Sequence, residues 1–273
     1  MKTIITAALT GAVTPKEKAP ALPITPAEIA EDGMKCWQAG AAILHLHMRD
    51  DNGRGTMDAA KFRETVQRLR DMGCGAILNL TTSGELGVDD ERRMAHVIEL
   101  HPELATYDAG TLNAGDGIFE NSFSFLEKLG KTLIAEGVKP EVEVMDMGMI
   151  NTANAYIKKG FLQEPVHFQF VLGYGIAGAP ATPQNLCYML QQIPKSSTWS
   201  AFGTGPAHLP ILYTALALGG NVRVGLEDNT SYLRGVPATN VMFVERAARL
   251  IKEFGNEVAT ADEAREILGI KKK

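Results

Sequence analysis

An α/β fold closed into a (β/α)8 barrel is what this sequence predicts, on three observations. Eight short strand-like runs alternate with helical patterns, the chain is 273 residues long, and polar residues recur on one face of nearly every strand. Eight β/α units in that length are the arithmetic of one barrel rather than of a doubly wound sheet. The runs are Thr3–Leu9, Ala41–His47, Ala76–Thr81, Leu104–Asp108, Glu141–Met145, Val166–Val171, Thr198–Gly203 and Asn221–Glu227. The helices expected between them cover Pro26–Ala39, Asp58–Met72, Asp89–Leu100, Ser122–Glu136, Gly148–Lys159, Pro183–Gln192, Ala207–Leu218 and Ala238–Phe254. Thr25 with Glu28, and Thr260 with Glu263, have the spacing of capping boxes, so a helix starts at Pro26 and a short C-terminal one covers about 260–269. Gly73 closes the second helix. The whole chain, 1–273, reads as one barrel domain. Its longest irregular connection, Gly11–Thr25, is a candidate lid or subunit-contact loop.

Composition narrows the function classes. The chain is 45% hydrophobic and 22% charged with a net charge of −5, enough apolar material for a large core. Its one basic block is Lys271-Lys272-Lys273, so neither nucleic acid nor a membrane surface is an expected partner. Cys36, Cys74 and Cys187 are odd in number and lack CxxC spacing, which fits reduced thiols in a cytoplasmic protein. The start is too short and polar for a signal peptide, and no apolar run approaches the ~20 residues of a membrane span.

Strand parity locates the chemistry. Residues two apart on a strand share a face, so His45 and His47 point together at the end of the second strand. With that face taken as inward, the other strands contribute Thr6, Ala8 and Thr10; Asn79 and Thr81; Thr106 and Asp108; Glu141 and Glu143; His167 and Gln169; Arg223, Gly225 and Glu227. The opposite faces carry apolar residues such as Leu78 and Leu80, Val142 and Val144, and Phe168 and Phe170. Burying so many polar groups is costly unless they serve one another, a metal or a ligand. A structural barrel would use Val, Ile and Leu there.

Barrel active sites occupy the C-terminal strand ends. His45, His47 and Glu227 meet there as a candidate catalytic metal set with an open position. Asp228, one residue on, is a candidate base, and Arg223 would hold it ionised. A structural Arg223–Asp228 ion pair, or two ordinary strand histidines, are the plainer alternatives. Leu172–Pro180 and Gly203-Thr-Gly205 are glycine-rich and follow strands six and seven, where barrels often bind phosphate, so a nucleotide-type cosubstrate is a candidate. His96, His101 and His208 read as surface or capping residues, and His167 as a further ligand or a group behind the ligands.

The ordered segments Thr6–Ala12, Leu22–Pro26, His45-Leu-His47 with Arg49-Asp50, Ala109–Asn113, Pro140–Val144 and Gly225–Asn229 make the chain resemble the β-keto acid cleavage enzymes, the family of 3-keto-5-aminohexanoate cleavage enzyme, from about Thr3 to Leu268. The resemblance implies a TIM barrel assembled as a homotetramer, with zinc on His45, His47 and Glu227 and Asp228 as base supported by Arg223. Thr81, Gly84 and Thr106 match substrate-contacting positions. The implied reaction converts a β-keto acid and acetyl-CoA into acetoacetate and the CoA ester of the remaining acyl part, with Asp228 deprotonating the acetyl-CoA methyl group. Two departures stand out. Val13 replaces an acidic residue of members acting on amines, which favours a neutral, short aliphatic β-keto acid, although an inward Asp108 would accept a polar tail. Pro206 stands where an Arg is common, which alters the expected contacts to CoA phosphates. Two rival classes remain: a metal-dependent hydrolase of the amidohydrolase type, which needs His-x-His on strand one and a ligand Lys or further His on strands four to six, and a non-catalytic ligand-binding barrel.

Overall fold

Eight parallel strands close into a barrel in the computed structural model, which describes residues 1–271; the last two lysines of the basic block lie outside them. The strands are β1 (Ile5–Ala8), β2 (Ile43–Leu46), β3 (Ile77–Leu80), β4 (Leu104–Asp108), β5 (Lys139–Val144), β6 (His167–Leu172), β7 (Thr198–Gly203) and β8 (Asn221–Val224), each hydrogen-bonded to the next and β8 to β1. Helices α1 (Pro26–Gln38), α2 (Ala59–Asp71), α3 (Asp90–Leu100), α4 (Phe123–Ala135), α5 (Met147–Lys158), α6 (Pro183–Leu190), α7 (His208–Ala217) and α8 (Asn240–Glu253) follow the strands in turn, and α9 (Ala261–Leu268) ends the described chain. Both expected capping boxes form: each Thr hydroxyl accepts from the backbone three residues on, and each Glu returns to the cap backbone. No helix among the described residues is long and apolar enough to cross a membrane.

The apolar side chains divide into two buried clusters. The larger joins the outward strand faces, such as Leu44, Leu78, Val142 and Phe168, to the surrounding helices. The smaller plugs the N-terminal end of the barrel, where the inward Ile43, Ile77 and Leu104 pack with Ala264 and Leu268 of α9. Below the polar layers the barrel is therefore sealed by aliphatic residues, so ligands reach the interior from the opposite mouth. Parity alone did not separate this floor from the polar layers above it.

Sequence periodicity missed four small sheets of two strands each. Lys2–Thr3 leaves the barrel to pair with Glu257–Val258, and three antiparallel ribbons join Met48–Arg49 to Gly55–Thr56, Leu112–Ala114 to Gly117–Phe119, and Ser231–Leu233 to Val236–Pro237. Such pairs are too short to leave a periodic signal. The 11–25 connection is fastened at its start by the buried Arg49, which donates to the carbonyls of Thr10, Gly11 and Thr14 as well as Gly53, and farther on by the buried Ala19 and Leu22.

The last strand departs from expectation in a way that matters. β8 stops at Val224, three residues before Glu227, because Gly225 adopts a φ of 150°. A Cβ at Gly225 would collide with the Ala8 carbonyl oxygen and its flanking backbone. Past this point the chain folds back on itself, with Asp228 and Asn229 N–H groups donating to the Gly225 carbonyl at 3.2 and 3.1 Å. Gly225→Ala should destabilise the fold by about 2–4 kcal/mol, read from the denaturation midpoint. A change within 0.5 kcal/mol would show that the turn tolerates a side chain.

Candidate active site

His45, the third residue of β2, is buried, and His47 lies one residue past the strand, also buried. The Gly225 turn brings Glu227 opposite them: Oε1 is 3.4 Å from His45 Nε2 and 3.5 Å from His47 Nε2. Those contacts are long for hydrogen bonds but close to the ~3.3 Å that separates two ligand atoms around a tetrahedral zinc. Among the described residues, His45 Nδ1 and Nε2, His47 Nδ1 and Glu227 Oε2 are buried without a hydrogen-bond partner. Unpaired buried polar atoms are costly, and one ligand atom from each of these three residues lies within 4.8 Å of the others. The donor set therefore fits a divalent metal. Burial alone would raise the Glu227 carboxyl, but His45, Arg223 and His47 together hold it well below the usual carboxylate range.

Glu227 is positioned from two sides. Gly11 (φ 60°) passes so close that a Cβ would lie 2.6 Å from Glu227 Cγ. Asn240, the fully buried first residue of α8, accepts from Leu226 N at 2.7 Å and donates to Leu9 O at 2.9 Å, tying the ends of β8 and β1 together. As a single buried Asn at a helix start, it left no pattern that sequence reasoning could use.

Arg223, inward on β8, is the hub. Nε and Nη2 donate to both Asp228 carboxylate oxygens at 3.0 Å, Nη2 also to Glu227 at 2.6 Å, and Nη1 to Glu143 at 3.0 Å. The bidentate pairing fixes Asp228 in plane. Burial raises the Asp228 carboxyl to about 6 against the pull of Arg223, with Glu227 adding to the rise. An acid of that strength is mainly ionised at neutral pH and still basic enough to accept a proton.

A second acidic group lies behind. Asp108 accepts from Ser83 Oγ at 2.9 Å, and the charges of Asp108 and Glu143 oppose each other. Burial pushes both carboxyls up, Glu143 well above its usual range. Glu141 is buried below, accepting from Asn79 Nδ2 at 2.6 Å. With His45 and Glu143 it forms a second potential ligand set, but Arg223 already engages Glu143. His167 bonds Thr198 Oγ1 through Nδ1 at 2.9 Å and brings Nε2 to 3.7 Å from Glu141, but it lies outside both sets.

The other expected residues fall at the mouth with differing roles. The Thr81 hydroxyl accepts from Ser83 N at 3.1 Å. Gly84 lies against His47: a Cβ there would sit 3.3 Å from Nδ1, so a side chain would crowd the ligand. The Thr106 hydroxyl accepts from Thr82 N at 3.0 Å and serves the loop itself. Val13 is 81% exposed and forms no buried end-wall within one chain, unlike the apolar wall expected of it. One further expectation is corrected. His96 is fully buried rather than a surface residue. β5 starts with a lysine, Lys139, but at the N-terminal end, where it donates to Pro165 O; the ligand lysine of a hydrolase of the amidohydrolase type is missing among the described strand residues. Tyr174, unremarked in the sequence, stands on the glycine-rich loop after β6 close enough that Asp108, Glu227 and Glu143 join burial in raising its phenol.

A closed parallel barrel with a candidate His–His–Glu ligand set and an arginine-held aspartate at its open mouth is the architecture of a barrel enzyme. The chain belongs to the beta-keto acid cleavage enzyme family, whose model matches residues 2–270. It is 45% identical over 273 residues to 3-keto-5-aminohexanoate cleavage enzyme of Fusobacterium nucleatum, covering 99% of each chain. It is 43% identical, with the same coverage, to the enzyme of that name from Acetoanaerobium sticklandii. With 3-oxoadipate:acetyl-CoA acetyltransferase of Cupriavidus necator it shares 32% identity over 98% of this chain and 94% of that one. Among solved structures, apo ObcA superposes with a TM-score of 0.82 at 22% identity, over 92% of this chain and 66% of that one, which bears on the fold alone.

Proposed function

We propose that this chain is a zinc-dependent acyltransferase that converts a β-keto acid and acetyl-CoA into acetoacetate and a new acyl-CoA. The observation that carries the reading is Asp228, clamped by Arg223 beside three converging ligand side chains that lack partners of their own. When bound to His45, His47 and Glu227, zinc supplies Lewis acidity toward the β-keto oxygen. Asp228 takes the proton. The methylene at C2 of the keto acid, flanked by the ketone, is a stronger carbon acid than the acetyl-CoA methyl named from the sequence, and we assign the proton to it. The resulting carbanion forms a bond to the acetyl carbonyl and CoA leaves as thiolate. The thiolate then adds to the original keto carbon, the C2–C3 bond breaks, and Asp228 returns its proton to the acetoacetate carbanion. Arg223 keeps Asp228 aimed throughout, and Thr81 and Gly84 line the approach to His47.

The CoA phosphates have a candidate seat at α7. Gly203–Gly205 leads through a single 3-10 turn, Gly205–Ala207, into a helix whose N-cap, Ala207, has no side-chain bond to the first turn. The tail of the keto acid is neutral and short in this reading. Position 13 presents no carboxylate, and Asp108 already accepts from Ser83. Val13 is exposed, so discrimination there is expected to be modest, within about tenfold, because an exposed ammonium keeps its water.

The test is a panel of β-keto acids incubated with zinc-loaded enzyme and acetyl-CoA, followed by acetoacetate and acyl-CoA. A 3-oxohexanoate-type acid should exceed its 5-amino counterpart in kcat/KM. Hydrolysis without CoA would end the transferase reading, and a preference for the amine would end the neutral-tail assignment.

A further inference from the structure

We propose that Arg93 and His96 on α3 are positioning residues for this reaction, holding the Thr81–Gly84 segment against the metal ligands without touching substrate. The inference rests on the cleavage reaction given above. β3 ends at Leu80, so the next carbonyls, buried at the mouth, need partners from outside the ladder. α3 provides both. His96 Nε2 lies 2.8 Å from Thr81 O, and because a carbonyl only accepts, that nitrogen carries the hydrogen. The ring stacks on Phe62 at 3.9 Å between centroids and 18° between planes, which fixes its direction. Burial pulls His96 down to about 4, so it is neutral at working pH.

Arg93, one turn earlier and 8% exposed, spans two loops. Nε donates to Thr82 O at 2.7 Å, Nη1 to Glu120 O at 2.8 Å and Nη2 to Asn121 Oδ1 at 2.7 Å, while the guanidinium lies 3.7 Å over the Phe125 ring. Asn121 in turn donates to Gly110 O at 3.1 Å. The segment after β3 and the one after β4 are thus joined through one side chain. What they carry is the mouth of the site: Gly84 against His47, the Thr81 hydroxyl, and Ser83 donating to Asp108. Tilting either carbonyl away would move all of these together. Displacements of ~1 Å in such groups cost on the order of 10²-fold in rate.

Zinc-loaded wild type is compared with Arg93→Lys, whose single ammonium cannot reach three acceptors, and with the pair His96→Phe and His96→Gln. Phenylalanine keeps the stack on Phe62 but has no donor, whereas glutamine restores an N–H. Expected are falls in kcat of about 10- to 100-fold for Arg93→Lys and His96→Phe, with one metal per chain retained and KM for acetyl-CoA within about threefold. His96→Gln should recover most of the kcat. Should Arg93→Lys not fold, the histidine pair decides. His96→Phe within twofold of wild type would overturn the proposal. So would equal losses in both histidine variants accompanied by loss of metal and of a cooperative melting transition, since that pattern is purely structural. If wild type forms no acetoacetate from any keto acid of the panel, the transferase reading fails and takes this one with it.

Discussion

His45→Ala and Glu227→Gln are each expected to purify with almost no bound metal and to lose essentially all turnover. The three ligand atoms they help supply have little else to bond, and a three-residue protein set that loses one member leaves two ligands for a catalytic zinc. Glutamine is the informative choice at 227. Its carbonyl oxygen can still accept from Arg223 Nη2, so the scaffold around the turn survives while the anionic ligand is lost. A control separates the two potential ligand sets, which share His45. Glu141 accepts from Asn79 and lies 3.7 Å from His167 Nε2, deeper than the mouth. Glu141→Gln should therefore keep its metal. Elemental analysis of the dialysed proteins reads the outcome directly. Stoichiometric metal in Glu227→Gln with its loss from Glu141→Gln would move the centre inward to the second set, and stoichiometric metal in both His45→Ala and Glu227→Gln would overturn both sets.

Parity placed these side chains on one inward face for a physical reason. A barrel strand alternates strictly between helix-facing and interior-facing positions, and only function places Glu141, Glu143, Arg223 and Asp108 on the interior face. Glu227 was reached by the same count although β8 ends at Val224, because the Gly225 turn preserves the direction that parity assumed. Residues that act through backbone carbonyls were not legible. His96 and Arg93 sit on a helix whose pattern shows only that they are buried or exposed, and both make their bonds with carbonyls of another segment. Nothing in a sequence marks a carbonyl as needing a partner. Asn240 and Arg49 escaped for the same reason. The misjudged position, Val13, lies in the long connection after β1, where no periodicity relates residue number to direction. The likeness to a family fixed which residue aligned there but not how much of it is buried.

Asp228→Asn is expected to keep its metal and lose about 10²- to 10⁴-fold in kcat, the contribution of a positioned base. The variant is nearly isosteric, and its remaining oxygen can accept one of the two bonds that Arg223 donates to the carboxylate. What disappears is the capacity to take a proton. Arg223 itself still pairs with Glu143 and Glu227, so the hub does not collapse. No neighbouring acid can substitute. Glu227 is held far below the usual carboxylate range and directed at the ligand set. Asp108 accepts from Ser83 and Glu143 from Arg223, and burial raises both carboxyls. Steady-state turnover with the metal content of the same sample distinguishes the roles. A variant that loses its metal would make Asp228 a ligand rather than a base. A metal-loaded Asp228→Asn within a few-fold of wild type would hand proton transfer to the Asp108–Glu143 pair, and Glu143→Gln would then show the loss instead.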